Sequence, residues 1–343
     1  MTGEDTAPMT SDKQRLIVQG MEVAVGERAT GYLTIGGGEP VLKAPLVLLN
    51  GVRSGPRLAL LGGVHGAEYC SIEAARRLAM ETDPAALSGQ IVAVPIVNMP
   101  AFEGRSAFVS PLDGKNLNRT FPGRPDGTPS ERLAWTVFKD VIEPADVLID
   151  LHGGDLFESL SPYAIYSTEG TSEVNDRSRK LAAALGLPVV APGGTSGSAY
   201  ETAARAGKTA VIAEAGDMGR LEPRWVDALV SGVRNGMRLL GMLAGTTSRS
   251  MDQQWARRAH RVQSPAAGLW YRRVDAGQRV TTGQEIGTFC DHFGRPLHTI
   301  TAPADGMILW IASSLYLSKG AALMNVVELA PTPQGAGIES SEV

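Results

Sequence analysis

Cysteine is scarce in this chain. Cys70 and Cys290, far apart, are the only two in 343 residues, which makes neither a disulfide scaffold nor a cysteine-based zinc site. No charge of one sign dominates either. Thirty-two Lys and Arg stand against thirty-six Asp and Glu, a formal net charge of −4, with both signs mixed along the sequence. That balance gives no support to a nucleic-acid or membrane-surface partner. Uninterrupted apolar runs are missing too: Val226–Ala244 is broken by Asp227, Arg234 and Arg238, so it is not a membrane span. Met1 to Lys13 is polar and lacks the apolar core of a signal peptide, and a cytoplasmic location is expected. Glycine, by contrast, is abundant. The forty glycines cluster in loops rather than in a repeat, which excludes collagen-like and low-complexity chains. With 43% hydrophobic and 20% charged residues, the composition is that of an ordinary globular enzyme, long enough for one large domain and a smaller one.

The patterning predicts that organisation. Residues 1–14 are expected to be disordered. Leu16 to Leu49 alternates polar and apolar residues between glycine turns, a β-rich entry. Leu58–Leu61, Ile91–Val97, Val147–Leu151, Val189–Val190 and Thr209–Ala213 are short apolar runs rich in β-branched residues, the pattern of buried strands. Between them Ala67–Glu81, Ser130–Ile142, Ser172–Leu185 and Tyr200–Ala206 carry helical spacing, and Pro223 suits the first position of a further helix. Strands alternating with helices imply a three-layer α/β architecture with a mixed, mainly parallel sheet, and residues 15–248 form that domain. A polar stretch from Gly245 to Gln253 marks a boundary. Residues 254–331 then lose the helical period and form a β-rich C-terminal domain of two similar halves, each with a Pro-x-x-Gly element (Pro265 to Gly268, Pro303 to Gly306). This resembles the barrel-sandwich hybrid of biotinyl and lipoyl domains. The hairpin that presents a modifiable lysine in those carriers holds Asp291-His292-Phe293-Gly294-Arg295 here, so a carrier function is not expected. Residues 332–343 are expected to be a flexible tail.

Chemistry concentrates where strands end. His65 and Glu68 follow Leu58–Leu61, His152 follows Val147–Leu151, and Glu214 follows Thr209–Ala213. Open α/β sheets bind ligands outside the carboxyl ends of their strands, so the topology delivers two His and two Glu to one rim. His65, Glu68 and His152 make a two-His, one-carboxylate set, a known catalytic zinc arrangement that leaves a position open for water. Glu214 is then the candidate to accept and pass on a proton. The plainer readings stand beside this one: a His-x-x-Glu pair arises by chance, a histidine ending a strand is commonly a satisfied structural residue, and Glu214 suits a turn cap.

Four segments narrow the choice. Gly63-Val64-His65-Gly66-Ala67-Glu68, Asn116-Leu117-Asn118-Arg119-Thr120-Phe121-Pro122-Gly123, Asp150-Leu151-His152-Gly153 and Ala213-Glu214-Ala215-Gly216 resemble, in order and placement, the succinylglutamate desuccinylase/aspartoacylase family, a branch of the zinc carboxypeptidase-like fold. The resemblance runs from about Pro45 to Leu329. It implies that His65, Glu68 and His152 bind one Zn2+ per chain and that Glu214 is general base and then acid. It also implies that Asn118 and Arg119 hold the substrate carboxylate, a role suited to a guanidinium fork. The family uses a further arginine to stabilise the oxyanion, and Arg105 is the only arginine between Asn98 and Asn118. Asp150, on the same strand face as His152, suits either the orienting of that ligand or a purely structural role. Cys70 is expected to be a small buried thiol rather than a ligand. The implied reaction is zinc-dependent hydrolysis of the N-acyl amide of a small acylated amino acid or similar carboxylate. The rivals are a metallocarboxypeptidase acting on short peptides and a non-catalytic binding or scaffold protein. Exposed edges in the β domain make a homo-oligomer an expectation.

Overall fold

A computed structural model describes residues 15–248 and 252–330; the expectations for the two termini lie outside these residues. A hairpin of β1 (Leu16–Val18) and β2 (Met21–Val23) leads into the long pair β3 (Glu27–Ile35) and β4 (Leu42–Asn50). The α/β core follows with β5 (Arg53–Leu61), α1 (Tyr69–Glu81), β6 (Ser88–Val94), α2 (Met99–Gly104), α3 (Pro129–Val137) and β7 (Val147–His152). It continues through β8 (Glu158–Leu160), β9 (Tyr163–Ser167), α4 (Ser172–Ala184), β10 (Val189–Gly193), α5 (Ala199–Arg205), β11 (Thr209–Glu214) and α6 (Pro223–Leu239). The rest is β: β12 (Gln254–Gln263), β13 (Gly268–Arg272), β14 (Arg279–Val280), β15 (Glu285–Cys290), β16 (Pro296–Thr301), β17 (Gly306–Ala312), β18 (Tyr316–Leu317) and β19 (Ala322–Ala330).

One large mixed sheet runs β3-β4-β6-β5-β7-β11-β9-β10-β12-β19-β17-β14, with β8 attached to β17. The expected parallel pairing holds in the middle, where β6, β5, β7 and β11 lie side by side in one direction. Both flanks are antiparallel, β3 and β4 on one side and β12, β19 and β17 on the other. β3 returns to β4, and β17 to β19, through short connections, which suit antiparallel neighbours. The C-terminal strands also extend the main sheet, because β12 pairs with β10. A second sheet, β16-β15-β13-β18, packs over its own core of Trp270, Ile286, Phe289, Ile308, Leu323 and Met324.

Strand alternation builds the layers. Leu58, Leu60, Ile149, Leu151, Val211 and Ala213 face one core, shared with α1, α4 and α6. Ala59, Leu61, Leu148, Ala210 and Ile212 face the other, shared with α3, α5 and the entry hairpin. Period-two alternation with both faces apolar is what a sheet covered by helices on each side requires. Glu131 completes the start of α3 by accepting the Thr128 N–H at 2.8 Å. Three elements of the α/β region were missed in the sequence, α2, β8 and β9. β9 runs antiparallel to β11, and its five residues are too few to carry a period of their own. Among the described residues no helix is long and apolar enough to cross a membrane.

Candidate active site

β5, β7 and β11 run parallel, so their carboxyl ends share a rim. Glu214 is in register with His152 across the β11–β7 ladder. After β5 the chain turns tightly through Gly62 to Gly66 into α1. Gly66 is obligatory there: a Cβ would fall 2.2 Å from the Phe102 backbone nitrogen. This turn brings Glu68, directly before α1, against both histidines. The His65 Nδ1 lies 2.7 Å from Glu68 Oε1, and the His152 Nδ1 lies 3.0 Å from Glu68 Oε2. One donor atom from each of the three residues falls within 4.8 Å of the others.

The outer nitrogens are held from behind. His65 Nε2 is 3.1 Å from Asn116 Oδ1. His152 Nε2 is 3.1 Å from Asp150 Oδ2 and 3.4 Å from Asn118 Nδ2. The Asn116 oxygen favours a proton on His65 Nε2 and the charge of Asp150 favours one on His152 Nε2, against the weaker approach of the Asn118 amide nitrogen, and this leaves the Nδ1 lone pairs aimed inward. Burial would lower both imidazoles, but Glu68 lifts His65, and Asp150 with Glu68 lifts His152 well above its ordinary range. Burial would likewise raise Glu68, yet the two histidines hold it down to about 2. A site that stabilises positive charge on two inward nitrogens around one carboxylate fits a divalent cation, and the mixed nitrogen and oxygen donors suit zinc.

Beside this cluster, Glu214 is only partly exposed and sits opposite Tyr163 on β9. Burial, then the opposing pull of His152 and the push of Glu68, Glu158 and Asp150, leave its carboxyl well above the carboxylate range. Burial and Glu68 push Glu158 up to about 7. The site thus holds one deeply ionised carboxylate and two that readily carry protons, the division of labour that proton transfer needs. Tyr163 is kept protonated by burial and by Glu214.

The other expected residues divide. Asn118 is buried, and its Oδ1 accepts the Ala199 N–H at 3.0 Å, so it braces α5 as well as facing His152. Arg119 is exposed at the same turn and donates to the Asn118 carbonyl at 2.6 Å. Arg105 is the exposed C-cap of α2 with a left-handed backbone, φ 50°, and makes no side-chain hydrogen bond or ion pair among the described residues. Asp150 is fully buried. Cys70 is buried, directs its Sγ to the Arg220 carbonyl at 3.1 Å, and is outside the ligand cluster.

Several residues at the site escaped sequence reasoning. The Phe108 ring stands edge-on to His65 at 6.1 Å, and its N–H donates to Asp155 Oδ2 at 2.7 Å. Phe108 also has a left-handed backbone, φ 59°, so strain gathers in the 105–108 loop beside the cluster. Asn116 stood in a quoted motif, but its contact with His65 crosses 51 residues, and nothing local announces it. Asp155 and Glu158 follow His152 closely enough that their proximity was a usable signal.

Comparison with known proteins agrees with this geometry. The sequence profile of the succinylglutamate desuccinylase/aspartoacylase catalytic domain matches residues 54–240. The N-alpha-acetyl-L-2,4-diaminobutyric acid deacetylase of Halomonas elongata is 32% identical over 245 residues, 69% of this chain and 71% of that protein. The chain belongs to the succinylglutamate desuccinylase/aspartoacylase family. Among solved structures, a family member from Rhodobacter sphaeroides superposes with a TM-score of 0.81 at 26% identity, covering 90% of this chain and 98% of that one. The product-bound ectoine utilization protein EutE (DoeB) from Ruegeria pomeroyi has the same TM-score at 25% identity, covering 89% and 97%. Membership supports an amide-hydrolysing deacylase, and the coverage takes in the C-terminal β region.

Proposed function

We propose that this protein is a zinc-dependent deacylase that hydrolyses the N-acyl amide of a small acylated amino acid. The observation that carries the reading is the convergence of His65 Nδ1, Glu68 and His152 Nδ1 at one rim, with Glu214 in register beside them. We further read the fold as the zinc-carboxypeptidase type with a C-terminal barrel-sandwich hybrid.

His65, Glu68 and His152 would hold the ion, with Asn116 and Asp150 fixing the two rings. Zinc held there supplies a Lewis acid for the acyl oxygen and lowers the pKa of water towards 7. Glu214 takes the proton from the attacking water; its environment, which favours the protonated carboxyl, retains that proton until the amine leaves and then gives it up. The amide C–N bond breaks as the new C–O bond is secured, giving a free carboxylate and an amine. Arg105 is assigned to the developing oxyanion. Arg119, with Asn118 fixing its turn, anchors the substrate carboxylate and sets the angle of attack. The diaminobutyrate deacetylase relative makes an N-acetylated amino acid the first substrate class to try.

The test is metal content together with acetate release from a panel of N-acetyl amino acids and dipeptides, in wild type and Glu214→Ala. About one zinc per chain in both, with turnover of the acylated amino acids by wild type alone, is expected. A wild type that binds no metal refutes the proposal, and turnover of dipeptides alone replaces it with the carboxypeptidase.

A further inference from the structure

Two non-glycine residues of the 105–109 loop, which follows α2, have left-handed backbones, Arg105 at φ 50° and Phe108 at φ 59°. The first is explained by its place. Arg105 caps α2, its N–H donating to the Phe102 carbonyl at 3.1 Å and the Ser106 N–H to the Ala101 carbonyl at 2.9 Å, and a left-handed residue is an ordinary way to end a helix. Phe108 has no such setting. Its neighbours close a three-residue turn across it, the Val109 N–H donating to the Ala107 carbonyl at 2.6 Å, and the positive-φ form of that turn is the rare, strained one. Strain of this kind persists only where surrounding groups hold it.

One outside group holds it. Among the described residues, Asp155 is the one side chain beyond the loop that hydrogen-bonds to the loop backbone, its Oδ2 accepting the Phe108 N–H at 2.7 Å. Its other oxygen, Oδ1, accepts the Leu156 N–H at 2.6 Å, and Asp155 is fully buried. Burial and the charge of Glu68 raise this carboxyl, and the two amides oppose the rise. A carboxylate makes stronger hydrogen bonds than a neutral acceptor, which suits it to a strained partner. The anchor itself is rigid. Asp155 follows His152 by three residues, and its turn is stitched to the segment beyond Glu214. Gly154 donates to the Gly216 carbonyl at 3.1 Å, Gly219 donates to the Gly154 carbonyl at 2.9 Å, and Met218 donates to the Glu158 carbonyl at 2.9 Å. One side chain therefore ties the loop to the ends of β7 and β11, which carry His152 and Glu214. Beyond the tie, the Phe108 ring stands edge-on to His65.

We propose that Asp155 is a positioning residue whose carboxylate pins the strained turn at Phe108 beside His65 and thereby fixes the 105–109 loop, Arg105 included, relative to the metal cluster and Glu214. The role of Arg105 at the oxyanion rests on the deacylase reading; the pinning of the loop does not. Without the carboxylate the Phe108 backbone returns to negative φ, the three-residue turn opens, and Arg105 and the Phe108 ring leave their places together. The loss falls on the transition state, which Arg105 meets, more than on substrate binding at Arg119. The two histidines keep their own supports, Asn116 and Asp150, so the metal content stays that of wild type.

The experiment pairs limited trypsin digestion with steady-state hydrolysis of N-acetyl amino acids, in zinc-loaded wild type, Asp155→Ala and Asp155→Asn. Cleavage between Arg105 and Ser106 is followed by mass spectrometry, and cleavage after Arg177 on α4 reports on the rest of the fold. Digestion of a locally opened segment tracks its opening equilibrium, so losing a hydrogen bond to a charged group should speed cleavage at Arg105 about 10- to 100-fold in Asp155→Ala. Cleavage after Arg177 should not change. Asp155→Asn, which conserves volume and one acceptor oxygen, should fall between the two, and it carries the test where the alanine variant fails to fold. In the variants kcat is expected to fall about 10- to 100-fold, with KM within about threefold of wild type and zinc content unchanged. Cleavage at Arg105 within about twofold of wild type in a folded variant overturns the proposal. So does cleavage that quickens equally after Arg177, or faster cleavage at Arg105 with kcat unchanged. Selective cleavage at Arg105 in the variants of a protein whose wild type hydrolyses no acylated amino acid upholds the loop anchor while refuting the deacylase.

Discussion

Asp150→Asn isolates the support behind the metal cluster. Asp150 is 0% exposed and holds its Oδ2 3.1 Å from His152 Nε2. The substitution conserves volume, so the β7 packing survives, but it removes the negative charge that keeps a proton on Nε2 and the Nδ1 lone pair turned inward. Loss of such a supporting carboxylate typically costs 10- to 100-fold in metal affinity, or about 1.4–2.8 kcal/mol. Competition against a chromophoric zinc chelator reads this directly. Glu214→Gln, which lies outside the three-residue cluster, serves as the control and is expected to bind zinc as wild type does. The metal-free protein gives a second reading of the same contact. His152 is raised above its ordinary 6.5, so its ion pairing stabilises the fold fully below that pH and is lost as pH rises through the folded value. Thermal unfolding in chelator should therefore show wild type losing stability with rising pH, and Asp150→Asn losing less. A zinc affinity within twofold of wild type, with the unfolded fraction excluded by circular dichroism, refutes the reasoning.

Other perturbations follow from the same geometry. Gly66→Ala drives a Cβ to within 2.3 Å of the backbone at Ala101 and Phe102; it should cost about 1–3 kcal/mol and lower Tm in differential scanning calorimetry, and an unchanged Tm contradicts the close approach. Glu131→Gln loses a carboxylate held at about 2 by the Thr128 N–H and Lys115. A depressed carboxylate stabilises above its ordinary 4.5 and loses that contribution as pH falls towards 2, so the variant should be about 1 kcal/mol less stable at pH 7 in urea unfolding. The gap to wild type should close in acid, and a pH-independent gap counts against the assignment. Zinc at 100 times its dissociation constant should stabilise wild type by about 2.7 kcal/mol, while His65→Ala shows no zinc-dependent shift in Tm; a shift in that variant moves the metal elsewhere.

How much of this was visible in the linear chain depends on the range of the interaction. The runs at Leu58–Leu61, Val147–Leu151 and Thr209–Ala213 announced strands because both faces of each are buried, and the 3.6-residue spacing of α1 and α6 announced helices because one face of each is. The rim position of His65, His152 and Glu214 followed from strand ends alone. Asn116 bracing His65 and Tyr163 opposite Glu214 had no such signature, since each pairs residues tens of positions apart.

The amino-acid sequence by itself determined the longer elements, their buried faces and the chemical kind of the site, because periodicity, capping and residue type act over a few positions. Only the tertiary structure decided which nitrogen of each histidine faces Glu68, that β9 enters reversed beside β11, and that β12 prolongs the main sheet beside β10. Those outcomes depend on register between distant strands, which is set when two apolar faces pack together and which no local stretch of chain encodes.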